Sequence, residues 1–476
     1  MQNMNLLYLS AAVVACYAND NDAFIPEIWA QEGLVILEEN MVMANLVHRD
    51  FQDEIRDFGD VVNTRRPGTF QIRRKKDGDA LENQDAIATN VQVPLDQWFY
   101  TSFTIKDGEA SKSFQDLVDI YLLPGMQTIA RSVDRAVLGR IHGFFGGPTS
   151  RVGRLSNLSA SNSKDYVLEA RERLNVNKAY PNNRNLVLAP SSETALLKNE
   201  LFIKANERGD GGTALENALL GRILGFDTYM DQNVNSVATG ADTDVTGVVT
   251  NALAAGGSGS QAVTGYATAV NTGEFIVVAG NDQPTYVTAH TETNSNTTAI
   301  TLNEANKYAT LASAATTRYA KCDVQGAYSV GHVAKVLVDG FTSGKAPQVG
   351  QLIAFGTGGS RRTYTIIESY DNGSSTQAIY LDRPLEVALT DNQLAFPGPY
   401  GAFNWAFHRE SIALITRPLA LPNTAMGVRA GLGVHNGVSM RVTMQYDITS
   451  GGTVVNLDIL AGVAVLDTNL CVPLLG

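Results

Sequence analysis

Between residues 60 and 105, apolar and polar positions alternate with little interruption. Ile87, Val91, Val93, Leu95, Phe99, Phe103 and Ile105 fall on one face, and Asn90, Gln92, Asp96, Ser102 and Thr104 on the other. A period of two over about twenty residues is the mark of extended chain, on the order of 60 Å at roughly 3.3 Å per residue. Ordinary strands run about 3–10 residues, and a two-stranded hairpin alone is marginal in water. The pattern predicts one very long β-hairpin whose apolar face needs a cover, most simply a neighbouring copy of the same chain. Its turn, Arg73-Arg74-Lys75-Lys76-Asp77-Gly78-Asp79, is too charged to enter a core.

Elsewhere the period becomes helical. From Pro26 to Leu46, Leu34, Leu37 and Met41 share one face while Glu27, Glu32, Glu38 and Glu39 lie largely off it, which predicts a helical arm. Ser113-Phe114-Gln115-Asp116 reads as the capped start of a short helix to about residue 122. Pro124 suits the first turn of a helix, where its missing N–H costs nothing. Met126, Ile129, Ala130, Val133, Val137 and Ile141 then recur at helical spacing, up to the breaker Gly143…Gly146-Gly147-Pro148. A helix is expected from Ser163 to Leu174, then a strand over 186–189, a helix over 191–206 and a strand over 225–230.

Composition shifts after that point. Residues 235–400 are rich in Gly, Ala, Ser, Thr and Val, and short β-branched runs sit between turn signals. The best strands are 274–279, 333–339, 351–355, 363–368 and 377–381, so this stretch reads as an inserted all-β domain. Two closing strands, 440–447 and 454–466, flank Ser450-Gly451-Gly452 and are expected to be antiparallel.

Charge and chemistry narrow the function. Lys plus Arg is 36 against Asp plus Glu 48, a net charge of −12, which argues against tight nucleic-acid binding. Cys16, Cys322 and Cys471 form no CxxC pair, so free thiols are expected rather than a disulfide framework or a zinc site. The apolar run Leu6–Cys16 ends in Val13-Val14-Ala15-Cys16, loosely like a lipoprotein cleavage box, but no Lys or Arg precedes Arg49. It is also short of the about 20 residues a membrane helix requires, so a packed or dangling arm is expected.

Gly209-Asp210-Gly211-Gly212-Thr213 lacks the Lys-Ser/Thr ending of a phosphate loop and reads as a surface loop. His48, His142, His290, His332, His408 and His435 are scattered, with no HExxH motif and no GxSxG elbow. No catalytic, cofactor-binding or metal-binding residue is predicted, and no cofactor. The cluster above background is basic and belongs to the hairpin: Arg65, Arg66, Arg73, Arg74, Lys75 and Lys76 are the candidate subunit-interface residues, with a solvated turn as the alternative for the tip.

The order of elements resembles the major capsid (coat) protein of tailed double-stranded DNA bacteriophages, the HK-ninety-seven-type fold. The likeness rests on Pro26-Glu27-Ile28-Trp29-Ala30, Gly59-Asp60-Val61-Val62, the run from Asn404 to Leu414, Thr416-Arg417-Pro418-Leu419 and the run from Val455 to Val463. These stretches are similar to podovirus-type coat proteins that carry an extra β-rich insertion, and the likeness covers roughly 20–234 and 401–476.

The resemblance implies an α+β phage major-capsid fold. Its parts would be an N-terminal arm (1–58), an extended loop (59–110), a peripheral domain with a spine helix (111–183), an axial domain (184–234), the insertion (235–400) and closing strands of both domains (401–476). It further implies a non-enzymatic shell subunit assembling with itself as hexamers and pentamers around double-stranded DNA. Scaffolding protein, portal and a decoration protein are implied partners, the virion the location, and no membrane is involved. An encapsulin-like compartment and, from another class, a secreted lipoprotein or adhesin are the competing readings.

Overall fold

The long helix Leu123–Leu138 organises the main core. Pro124 occupies its first turn, and Met126, Ile129, Ala130, Val133, Ala136 and Val137 are buried along one stripe, as their spacing predicts. A 3-10 turn, Gly139–Phe144, extends it to the glycine breaker. The structure is a computed structural model that describes residues 41–49, 61–66, 72–78, 80, 83–84, 89–106, 121–203, 218, 220–237, 247–266, 268–293, 296–319, 321–341, 345–423, 427–435, 438–449 and 451–476. Most of the expected arm helix, the start of the helix at Ser113, the loop Gly209–Thr213 and Cys16 lie outside the described residues.

The helix packs on a five-stranded sheet. The closing strand Gly452–Val465 is its centre, antiparallel to Val438–Asp447 as the sequence predicts. Residues 452–458 pair with Val438–Asp447, and 460–465 pair with Ile412–Arg417. Residues 452–461 also pair with β3, Gln97–Lys106, which therefore occupies the other edge. Helix and sheet approach closely at Gly125, where an added Cβ would lie 3.2 Å from Leu457 Cδ1.

This pairing corrects the single long hairpin. β1 (Val61–Arg66) pairs with β2 (Thr89–Pro94), Val61 opposite Pro94 and Arg66 opposite Thr89. The chain then bends at Leu95–Asp96, and β3 leaves the hairpin for the closing strand. Alternation specifies which side chains face a core but not which strand lies alongside, so two consecutive strands with different partners read as one. Phe99, Phe103 and Ile105 do face the main core, and their cover comes from the same chain.

A second, mixed sheet joins Val152–Gly153, Cys471–Leu475, Gly401–His408, Arg184–Leu188, Phe226–Met230 and Arg222–Ile223. Asn404 ties it together without solvent. Its Oδ1 accepts from Ala189 N at 2.8 Å, and its Nδ2 donates to Ser192 Oγ at 2.9 Å and to Leu474 O at 3.1 Å. The expected 191–206 helix appears as Pro190–Leu197 followed by a short turn, Glu200–Ile203.

The Gly/Thr-rich stretch folds as two closed six-stranded barrels, the first between Gly247 and Arg318 and the second between Cys322 and Pro397. Each has its own core, around Ile276, Val278, Val287 and Ile300 in the first and Val338, Ile353, Ile366 and Ile379 in the second. Phe275, Val277, Leu352, Ala354 and Phe396 instead join the main core, so both barrels are packed against the body rather than tethered to it.

One buried ion pair crosses the central sheet. Asp458 is fully buried, and Arg441 reaches its two carboxylate oxygens at 3.0 and 2.6 Å. Asp458→Ala would leave that guanidinium inside without its counter-charge, and is expected to lower stability by about 3 kcal/mol in urea unfolding. A loss below about 1 kcal/mol would show that Arg441 finds solvent instead.

Candidate assembly surface

The hairpin stands on a fixed base. At Gly462 an ideal Cβ would come 2.3 Å from Pro94 O and 3.2 Å from Leu95 Cδ2, so only a glycine lets the end of β2 cross the closing strand. Val93 is wholly buried in a small separate cluster with Ala413 and Ile415, flanked by Leu95, Ala464 and Leu466. A third tether follows at once: Gln97 Nε2 donates to Asp382 O of the second barrel at 3.2 Å.

The tip is the opposite. Residues 72–78 are all exposed, and Ile72 is 97% exposed, an apolar side chain in water beside Arg73, Arg74, Lys75 and Lys76. Gly78 turns the chain at φ +96, a conformation that favours glycine. Arg65 and Arg66 sit on β1 opposite Asn90 and Thr89. Two of the six predicted interface residues thus lie on β1, and four in the connection between β1 and β2.

Sequence reading missed a second exposed feature. The helix covers one face of the central sheet; on the other, β3 presents Trp98 and Tyr100, 59% and 69% exposed, opposite Leu460 and Asp458. Tyr370 and Tyr380 of the second barrel lie nearby as a tilted pair, ring centroids 6.2 Å apart, and Tyr100 acts on the ionisation of Tyr380. Trp98 and Tyr100 have the same parity as Ser102 and Thr104, and that was the available signal.

Where the long helix ends, Arg140, His142, Arg383 and Glu386 border a cleft of about 600 Å³, with Asp382 buried beside them. Arg383 reaches Glu386 at 2.7 Å, Asp382 at 3.3 Å and Thr363 O at 2.9 Å, and its guanidinium lies over the Tyr364 ring at 4.4 Å. His142 Nδ1 donates to Gly139 O at 2.9 Å, which leaves Nε2 to accept from Arg383. Burial pushes this imidazole down to about 4, so it is neutral at physiological pH. The cluster is a charge-compensated joint between helix and barrel, and it presents no activated nucleophile.

The other histidines stay apart. His48 bridges to Ala413, His290 faces Glu292 at 3.1 Å, His332 packs on Tyr328, and His408 accepts from Glu410 N. Among the described residues no group of His, Cys, Asp or Glu could hold a metal ion. Cys322 and Cys471 are buried free thiols whose ionisation burial opposes. No helix of the described residues is long and apolar enough to cross a membrane.

No family model and no curated protein matches this chain. Among solved structures, one of Mycobacterium phage Che8 matches 91% of this chain and 90% of its own at 11% identity and a TM-score of 0.43. The capsid of cyanophage P-SCSP1u matches 88% and 84% of the two chains at 9% identity and TM-score 0.41, and the mature capsid of bacteriophage PhiM1 88% and 83% at 9% and 0.40. The fold is α+β with strand-rich barrels. The printed descriptions of the second and third of these structures name phage capsids.

Proposed function

We propose that the chain is the major capsid protein of a tailed phage, a structural subunit that assembles with itself into an icosahedral shell of hexamers and pentamers around double-stranded DNA. The observation that carries this reading is the hairpin: a base locked at Gly462, Val93 and Gln97, and a tip with an exposed Ile72 among four cations. A rigid mount holding an apolar, charged end away from its own core makes sense when the end is covered by another molecule. In a shell built of one repeated subunit, the nearest molecule is another copy.

In this reading Arg65, Arg66, Arg73, Arg74, Lys75 and Lys76 meet the neighbouring subunit. The net charge of −12 suits a container that encloses DNA without adhering to it. The segments 1–58, 59–110, 111–183, 184–234, 235–400 and 401–476 would serve as arm, extended loop, peripheral, axial, inserted and closing parts. Scaffolding protein and portal would be assembly partners, with a decoration protein as a possible addition, and the virion the destination. Particle formation by the purified chain, read by sedimentation and electron microscopy, tests the reading.

A further inference from the structure

The segment 41–49 is held to the body through one buried carboxylate. Asp134, on the long helix and fully buried, accepts from Val42 N and from Ala44 N, each at 2.8 Å. Further along, His48 N donates to Ile412 O at 3.1 Å and Leu414 N to His48 O at 3.0 Å, while Met41, Met43, Ala44 and Val47 enter the main core. A second acid lies close enough to act on the first: Asp231, 2% exposed, in the loop after strand Phe226–Met230. Its Oδ1 accepts from Asn233 N at 2.8 Å, and its other oxygen, also buried, has no hydrogen-bond partner.

No ion pair of the described residues neutralises either group. On the same helix, Arg135 acts on Asp231 but is bonded to Glu368 of the second barrel at 2.8 Å, and Arg131 is exposed at the rim of a cleft shared by Val42, Gln127 and Asp231. The docked segment itself carries His48 and Arg49 near its end. Burial and the like charge favour retention of a proton; the N–H bonds from Val42 and Ala44 and, at Asp231, the charge of Arg135 oppose them without prevailing.

We infer that Asp134 and Asp231 form a proton-controlled latch on residues 41–48, tighter when the pair holds a proton and looser once it is lost. Burial first, and then the charge of Asp231, push the Asp134 carboxyl up to about 7. The sign follows from linkage. Undocking uncovers the side of Asp134 that residues 41–48 bury, and relief of that burial moves the carboxyl down toward the ordinary carboxylate range of about 4. Between that value and about 7 the docked state keeps a proton that the undocked state has released, so docking weakens as pH rises, then levels off. This inference is independent of the shell reading.

Hydrogen–deuterium exchange of the full chain, followed in peptides covering 41–48 and corrected for intrinsic rates, is the test. Protection there is expected to fall roughly tenfold or more between pH 5.5 and 8. Asp134→Asn should abolish that pH dependence, and Asp231→Asn, which keeps the acceptor but removes the like charge, should move the transition to lower pH. Protection that is flat or rises with pH in the unmodified chain overturns the latch, as does an unchanged profile in Asp134→Asn. Should Asp134→Asn fail to fold, an unshifted transition in Asp231→Asn overturns it equally.

Discussion

Replacing Arg73, Arg74, Lys75 and Lys76 together with Glu is expected to yield a folded, soluble chain that forms no closed particles. The four side chains are exposed, and the turn carrying them contributes nothing to either sheet core, so the thermal midpoint should stay within a few degrees of the unmodified chain. An exposed ion pair is worth only about 0–1 kcal/mol, so any one substitution should be tolerated. Four reversals differ in kind. In the proposed shell they bring added negative charge against copies of a chain of net charge −12 at every repeat of one contact, where repulsion acts chiefly on association. Sedimentation velocity should show the particle boundary replaced by monomer, at least a tenfold loss. Normal particle yield would remove the tip from the interface.

Gly462→Val has the second large effect, by a different route. A Cβ there would overlap Pro94 O at 2.3 Å, and the atom it meets is backbone, which cannot rotate aside as a flexible side chain could. Overpacking of this kind costs about 1–3 kcal/mol or more, and here it falls on the junction between hairpin and closing strand. The hairpin should detach from its mount while both sheets persist. A hairpin without its mount is marginal, so trypsin should cut after Arg65 and Arg66, whose strand is paired with β2, at least ten times faster, while cleavage at the already exposed residues 73–76 stays unchanged. Gly359→Ala is the control, since an added Cβ there meets nothing within 4 Å. Equal cleavage rates in Gly462→Val and the unmodified chain would mean that the hairpin is not held at this point.

Much of this architecture was legible because its determinants are local. The spacing of Met126, Ile129, Val133 and Val137 encodes the long helix, and the closing strands follow from alternation on either side of Gly451-Gly452. Partners were not legible. Nothing in Phe99, Phe103 and Ile105 says that their strand abandons β2 for residues 452–461, since the pairing spans 346 to 364 positions and leaves the alternation intact. The two barrels were hidden further: the sequence marked five of their twelve strands, one of them in the first barrel, and closure depends on which ends meet, as where residues 247–248 pair with 315–316. The basic turn stood out as a run of charge. Gly462 did not, because a glycine within a strand declares a close approach only once the crossing chain is known.

The latch and the mount concern how one subunit is put together; the central claim concerns where its tip goes. Cryo-electron microscopy of particles assembled from the unmodified chain addresses it directly. The expected map shows a closed icosahedral shell in which residues 72–78 of each subunit lie against an adjacent copy, with Ile72 covered and the four cations facing carboxylates. A chain that stays monomeric under every assembly condition, or a shell whose hairpin tips touch no neighbour, would contradict it.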